Sequence, residues 1–150
     1  MAIDLSGSGQ WLKNTSWTQI VLPYTMAIWF QTDNITSTTT IFSQGDLSSG
    51  DFDSVLIRGA VTDDPLAVGY RGVSEAQQTG ITTGTWHHCI AEYTITDRFA
   101  ILNGNTAENL SDVIENTDID AVYIGALARD GSALELDGRV AECAIWNRKL

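Results

Sequence analysis

Apolar and polar residues alternate along most of this chain with a period of two. In "MAIWFQT" (residues 26–32) Met26, Ile28 and Phe30 alternate with Ala27, Trp29 and Gln31. Successive side chains of a strand point to opposite faces, so this stretch reads as a strand, and apolar residues on both sides predict cover on both faces. Residues 39–44, 53–60, 65–72, 86–96, 98–104, 121–126 and 138–146 read likewise: they are rich in Val, Ile, Thr and aromatics and bounded by Gly, Asp, Asn and Ser. "TITDRFAILNGN" (94–105) predicts a hairpin turning at Thr96-Asp97, followed by Asn103-Gly104, a dipeptide that favours a type I′ turn. "SQGDLSSGDFD" (43–53) reads as a loop between strands. Only 107–116 has helical character, and it is short. Regularly spaced strands with little helix predict an all-β sandwich or barrel. Without repeats, linkers or shifts of composition, one domain accounts for residues 1–150.

Composition changes this picture little. A 150-residue chain buries roughly 70% of its unfolded surface, so stability needs neither a disulfide nor a metal. Charge changes it more. Eight basic against nineteen acidic residues give a formal charge of −11. Such a chain repels phosphate backbones and anionic lipid, which makes nucleic acid and bare membrane poor partners. Solubility, a divalent cation or a basic partner fit the charge better. Cys89 and Cys143 lie in apolar stretches and form no CxxC motif. Two buried thiols are expected, with a single bridge as the alternative. "MAIDLSGSGQWL" has no basic n-region and no apolar h-region, so no secretory signal is expected. No apolar run approaches the ~18 residues of a membrane span.

Three ordered stretches resemble one known superfamily. They are "PYTMAIWFQTD…TIFSQGD", "GTWHHCIAEYTITDRFAILNG" and "YIGA…LDGRVAECAIWNRKL", preceded by the first-strand-like "AIDLSGSGQWL". Together they resemble the laminin-G-like, concanavalin A-like lectin/glucanase jelly rolls. The resemblance implies a two-sheet antiparallel jelly-roll sandwich with six or seven strands per sheet. It does not imply one function, because this fold serves lectins, adhesion modules, hydrolases and viral structural proteins. Relatives usually continue past the terminal Asn-Arg-x-Leu into a short helix. Ending at Leu150 therefore predicts either an unusually compact module or part of a longer product.

The stretch "ELDGRVAE" (135–142) is the first candidate for chemistry. Retaining glycosidases of this fold class carry acids at alternate strand positions, Glu-x-Asp-x-Glu or with one extra residue before the last Glu, with two carboxyls about 5–5.5 Å apart as nucleophile and acid/base. Glu135 and Asp137 fill two places, but Arg139 stands in the third, or Val140 in the longer variant, and Glu142 falls on the opposite face of a regular strand. The expectation is no enzyme. His87 and His88 are adjacent on a strand, so they point apart and cannot converge on one metal ion. The resemblance implies that Trp86-x-His88 is a structural strand feature.

Calcium is the one cofactor the sequence suggests. Asp46, Asp51, Asp53, Asp63 and Asp64 lie in predicted loops and Asp130 in the turn "ARDGS". The resemblance implies that oxygen-rich rim loops hold this hard cation, although no EF-hand spacing is present. Solvated turn aspartates are the competing reading.

For sugar binding, exposed rings beside polar groups are needed. Trp29, Trp86 and Trp146 read as core. Trp17 and Tyr24, in the 14–25 connection, and Tyr70-Arg71 read as freer, near Asn14, Gln19 and Asp63.

The expected function is a non-catalytic interaction module. The missing signal and the single-module form resemble bacteriophage virion proteins, on a capsid surface or tail fibre. Other virion proteins and host-surface glycans would then be the partners, with a trimer the expected oligomer. A free or excised carbohydrate-binding domain, extracellular within a larger protein, is the alternative. A glycoside hydrolase is the second alternative.

Overall fold

The computed structural model describes residues 1–6, 9–59, 61–63, 65–70, 74–105, 108–111, 118–129 and 134–150. Twelve strands run in chain order: β1 (Ile3–Asp4), β2 (Leu12–Asn14), β3 (Tyr24–Thr32), β4 (Thr39–Gly45), β5 (Phe52–Ile57), β6 (Leu66–Tyr70), β7 (Ser74–Gln78), β8 (Trp86–Tyr93), β9 (Arg98–Leu102), β10 (Glu108–Leu110), β11 (Ala121–Ile124) and β12 (Gly138–Trp146). They form two six-stranded antiparallel sheets. The front sheet has the order β1-β12-β3-β8-β9-β10 and the back sheet β2-β11-β4-β5-β6-β7. The all-β two-sheet sandwich is as expected, and no helix occurs among the described residues. Of the stretch with helical character, 108–110 is strand and 107 and 112–116 lie outside the described residues.

The period of two builds the core. Tyr24, Met26, Ile28 and Phe30 point inward from β3, and Cys89, Ala91 and Tyr93 join them from β8. The back sheet answers with Ile41, Phe42, Val55, Ile57, Leu66 and Val68. Phe30 has no exposed surface, and burying such a ring stabilises the fold by about 2–3 kcal/mol.

Polar groups stitch one end of the sandwich. Tyr24 Oη donates to the buried Asp53 carboxylate across the two sheets. Tyr93 Oη donates to the Ser54 carbonyl at 3.0 Å, and the two phenol rings stack with centroids 4.7 Å apart. Burial and the neighbouring Asp53 raise both phenols well above the ordinary tyrosine range.

Two turns carry specific backbone demands. Asn103 and Gly104 both have positive φ, 54° and 74°, and the Asn105 amide donates to the Leu102 carbonyl at 3.0 Å. That is the expected type I′ turn. Gly138 opens β12 where a Cβ would lie 2.0 Å from the Gln31 carbonyl oxygen, so no larger residue fits that approach of β12 to β3.

Both cysteines are free. Cys89 on β8 and Cys143 on β12 sit on either side of β3. Two strand spacings put them about 10 Å apart, beyond the ~7 Å reach of a disulfide.

Candidate functional site

The outer faces of the two sheets differ. On the back sheet, Ser43 Oγ donates to the Ala126 carbonyl and accepts the Ala128 amide, both at 2.8 Å. Residues 126–128 thus lie over β4, and Tyr123 and the alanines there make a second apolar cluster against Trp11 and Leu47. On the front sheet the last residues of the chain cover one end. Thr25 Oγ1 donates to the Arg148 carbonyl at 2.9 Å. Lys149 Nζ lies 3.4 Å from Glu92 and 3.8 Å from the Phe99 ring centroid. Among the described residues the other end of that face stays open.

That open end holds two indoles. Trp29 and Trp86 are 39% and 38% exposed. Trp29 pairs with His88 on β8 and with Ala141 on β12, which places Trp86 diagonally beside it. The His88 ring lies 4.9 Å from the Trp29 ring at 36° and steadies it. The expectation that these tryptophans are core is corrected here. With Met26, Ile28 and Phe30 inward, Trp29 must point outward.

A bulge completes the site. Ala141 and Ala144 pair with Trp29 and Ala27, so residues 142 and 143 together oppose the single residue Ile28. Cys143 takes the inward place, while Glu142, at φ 49°, drops out of the alternation and reaches the outer face. Glu142, Ala141, Trp29 and Trp86 line a cleft of about 340 Å³, at the small end of the ~300–1,000 Å³ range of ligand sites. Regular alternation would have put Glu142 on the inner face.

The flank of the cleft is a polar ladder, Asp4–Arg139–Gln31–Trp86 in register across four strands. Arg139 Nη1 donates to Gln31 Oε1 at 2.7 Å, and Arg139 Nε lies 3.5 Å from Asp4. Gln31 Nε2 donates in turn to the Gly84 carbonyl at 2.5 Å.

The paired-acid strand does not form. Glu135 and Asp137 precede β12, which begins at Gly138. Glu135 Oε2 accepts the Gly9 amide at 2.7 Å, and the Asp137 carbonyl accepts the Asp33 amide at 2.8 Å. The histidines diverge as expected. His87 is buried beside Phe30, whereas His88 faces outward. Asn103 Oδ1 accepts the His88 amide, which turns Asn103 Nδ2 toward His87 Nδ1 at 3.0 Å. On the other side of the ring the Thr82 amide donates to His87 Nε2 at 3.1 Å, and the Thr82 carbonyl lies 3.2 Å from the same nitrogen.

Of the rings expected to meet sugar, Tyr24 and Tyr70 are buried and present no face to a ligand. Tyr24 is consumed by the stack and the Asp53 bond, and Tyr70 lies beneath the Arg98 guanidinium, 6.0 Å from the ring centroid. Trp17 is half-buried, its indole Nε1 donating to Gln44 at 3.3 Å. Arg71 lies outside the described residues.

Among the described residues the calcium set does not assemble either. Asp53 belongs to β5 and faces inward to Tyr24, because the strand starts one residue before it. Asp46 Oδ1 accepts the Ser48 amide and hydroxyl at 2.7 and 2.8 Å. Hydrogen bonds from Ser49 and Ser48 hold the Asp46 carboxyl down to about 2. Asp51 returns its carbonyl to the Asp46 amide at 2.7 Å, closing the loop on itself. Asp64 and Asp130 lie outside the described residues. Among the described residues no three His, Cys, Asp or Glu side chains converge as metal ligands.

A family model for the concanavalin A-like lectin/glucanases superfamily matches residues 6–150. No curated protein sequence matches the chain. Domains LG4-5 of the mouse laminin alpha1 chain superpose with a TM-score of 0.70 at 12% identity, covering 97% of this chain and 40% of that one. The CBM40 of Ruminococcus gnavus IT-sialidase, bound to α2,3-sialyllactose, gives 0.69 at 13% identity, covering 87% and 78%. Domain 4 of AbnA, a GH43 extracellular arabinanase from Geobacillus stearothermophilus, in complex with arabinotriose, gives 0.66 at 19% identity, covering 83% and 60%.

Proposed function

Because the chain belongs to the concanavalin A-like lectin/glucanase superfamily, we propose that it is a non-catalytic glycan-binding module whose site is the Trp29–Trp86 cleft. The exposed indole pair beside the Glu142 carboxylate carries this reading. Indole faces suit the C–H face of a pyranose, and a carboxylate accepts from its hydroxyls. Sugar complexes of the R. gnavus and Geobacillus domains support it at the level of fold. Glu135 and Asp137 lie outside the strand, which supports binding without hydrolysis.

An indole that covers ~60 Å² of sugar C–H surface contributes about 1.5 kcal/mol, or about tenfold in affinity. Trp29→Ala and Trp86→Ala should each weaken glycan binding by about that factor; because about three-fifths of each residue's surface is buried, melts of both variants check that the chain stays folded at the assay temperature. Calorimetry or a glycan array reads the outcome. An array without signal, or tryptophan variants that bind as well as the parent, sinks the reading.

For the setting we propose a bacteriophage virion surface, as a capsid decoration or tail-fibre component displayed as a trimer. The sequence resemblance to single-module virion proteins supports it. So does the −11 charge, which keeps densely displayed modules soluble. Trimeric display multiplies weak single-site affinity. Cosedimentation with intact particles tests this setting, and a chain that stays in the supernatant refutes it.

A further inference from the structure

We infer that the Trp29–Trp86 cleft selects uncharged glycans and rejects acidic ones, with Glu142 as the residue that sets this choice. The inference rests on the glycan-binding reading of the same cleft and adds to it the class of ligand.

Three observations carry it. The first is the bulge. A strand of regular alternation would turn a residue at this place into the core, and the extra residue instead delivers a carboxylate to the cleft wall. The carboxylate is exposed on the same wall as Ala141, so a ligand lying on the two indoles meets it directly.

The second is the state of the nearest guanidinium. An acidic sugar needs a cation to receive its carboxylate, and a forked Arg is the residue best shaped for that. Arg139 lies on the same outer face but is already engaged: Nη1 with Gln31 at 2.7 Å and Nε near Asp4 at 3.5 Å. Gln31 is itself held by the Gly84 carbonyl, so the fork is tied into a ladder that runs across the sheet. Lys149, at the covered end of this face, is similarly occupied by Glu92 and the Phe99 ring.

The third is the long-range field. With a formal charge of −11, the molecule repels anions before they reach the cleft, and low salt strengthens that repulsion. Hydroxyl groups behave oppositely. They donate to Glu142 and gain from its charge.

The specificity therefore differs from that of the R. gnavus module, which is bound to an acidic trisaccharide. Similar sandwiches carry different sites, because specificity lies in the side chains of one face.

The test uses matched pairs presented multivalently: lactose against sialyllactose, and galactose against galacturonate. The parent chain should bind the neutral member of a pair at least ~10-fold more strongly than the acidic one, as expected for a like charge placed close to a carboxylate. Glu142→Gln should narrow that preference by ~5-fold or more, by strengthening the acidic member and weakening the neutral one. Near 1 M salt, where screening acts within about 3 Å, the parent's preference should narrow as well. Preference for the acidic member overturns the selectivity and leaves the binding function standing. Equal binding of both members, or a preference unchanged in Glu142→Gln, also overturns it. Failure to bind either member of any pair, together with a blank wider glycan array, removes the glycan reading itself.

Discussion

Deletion of Glu142 should preserve the sandwich while removing the carboxylate from the cleft. Residues 142 and 143 share the single partner Ile28, so excising one restores a one-to-one ladder with Cys143 opposite Ile28. Val140, Cys143 and Ile145 keep their inward places, and Ala141, Ala144 and Trp146 their outward ones. The excised residue holds φ at 49°, a left-handed conformation that costs a non-glycine residue roughly 1–2 kcal/mol. One recovered cross-strand hydrogen bond contributes about 0.5–1.5 kcal/mol. Set against these gains is the relaxation of the local twist that a bulge imposes and to which the neighbouring side chains are packed. The expected net effect lies between no change and about 1 kcal/mol of added stability, a rise of up to ~2–4 °C in melting temperature for a domain of this size. Circular dichroism melts measure that side. On the binding side, losing a charge-assisted hydrogen bond should lower affinity for a neutral glycan by about tenfold or more. Glu142→Ala, which keeps the extra residue, serves as the control and should lose binding to a similar degree. Destabilisation beyond ~2 kcal/mol would show that packing demands the bulge. Undiminished binding by the deletion variant would show that the carboxylate plays no part.

Other outcomes follow from the stitched end of the sandwich. Tyr24→Phe leaves the buried Asp53 with one donor fewer, and urea denaturation should register a loss of about 1–3 kcal/mol. A change under ~0.5 kcal/mol, or no coupling with Asp53→Asn in a double-mutant cycle, would dismiss the bond as a stabilising contact. Alkaline pH should also unfold the protein through Tyr24 and Tyr93. Both phenols are raised in the folded state, so the folded chain retains protons that the unfolded chain releases near pH 10. Their contribution is fully present below about pH 10 and is lost as pH climbs above it. Tyrosinate absorbance and circular dichroism should then contain a shared cooperative step. Smooth ionisation of all four tyrosines without unfolding would contradict it.

Central strands were legible because their inward residues are apolar at every second position. The pattern predicts β12 with its observed bounds and β3 two residues short. Edge strands were not. β7 reads "SEAQQ", with Ala76 its one core contact, and a strand paired on one side with so little apolar surface leaves no period to detect. The polar run 43–53 predicts a loop as far as Asp53, but the loop ends earlier, because Phe52 already pairs with Gly45.

The site was harder for a different reason. Hydropathy marks Trp29 and Trp86 as residues to bury, but whether a neighbour covers an outer face is decided by the path of distant segments such as residues 147–150. The useful signal was phase rather than hydropathy: Trp29 shares its side with Ala27 and Gln31. Tyr24 shows the converse. Its place in a connection suggested freedom, yet it shares the phase of Met26, Ile28 and Phe30, and that phase leads inward. Glu142 escaped both rules, since one left-handed residue cancels the parity on which they depend.

Parting Cys89 from Cys143 by the width of β3 has a consequence for handling and for biology. Burial pushes the Cys143 thiol up to about 12 and the Cys89 thiol higher still, so at neutral pH neither supplies appreciable thiolate to an oxidant. With no partner within reach, the fold gains no crosslink in oxidising surroundings and loses none in reducing ones. Stability that rests on no disulfide does not change with the redox poise of the surroundings.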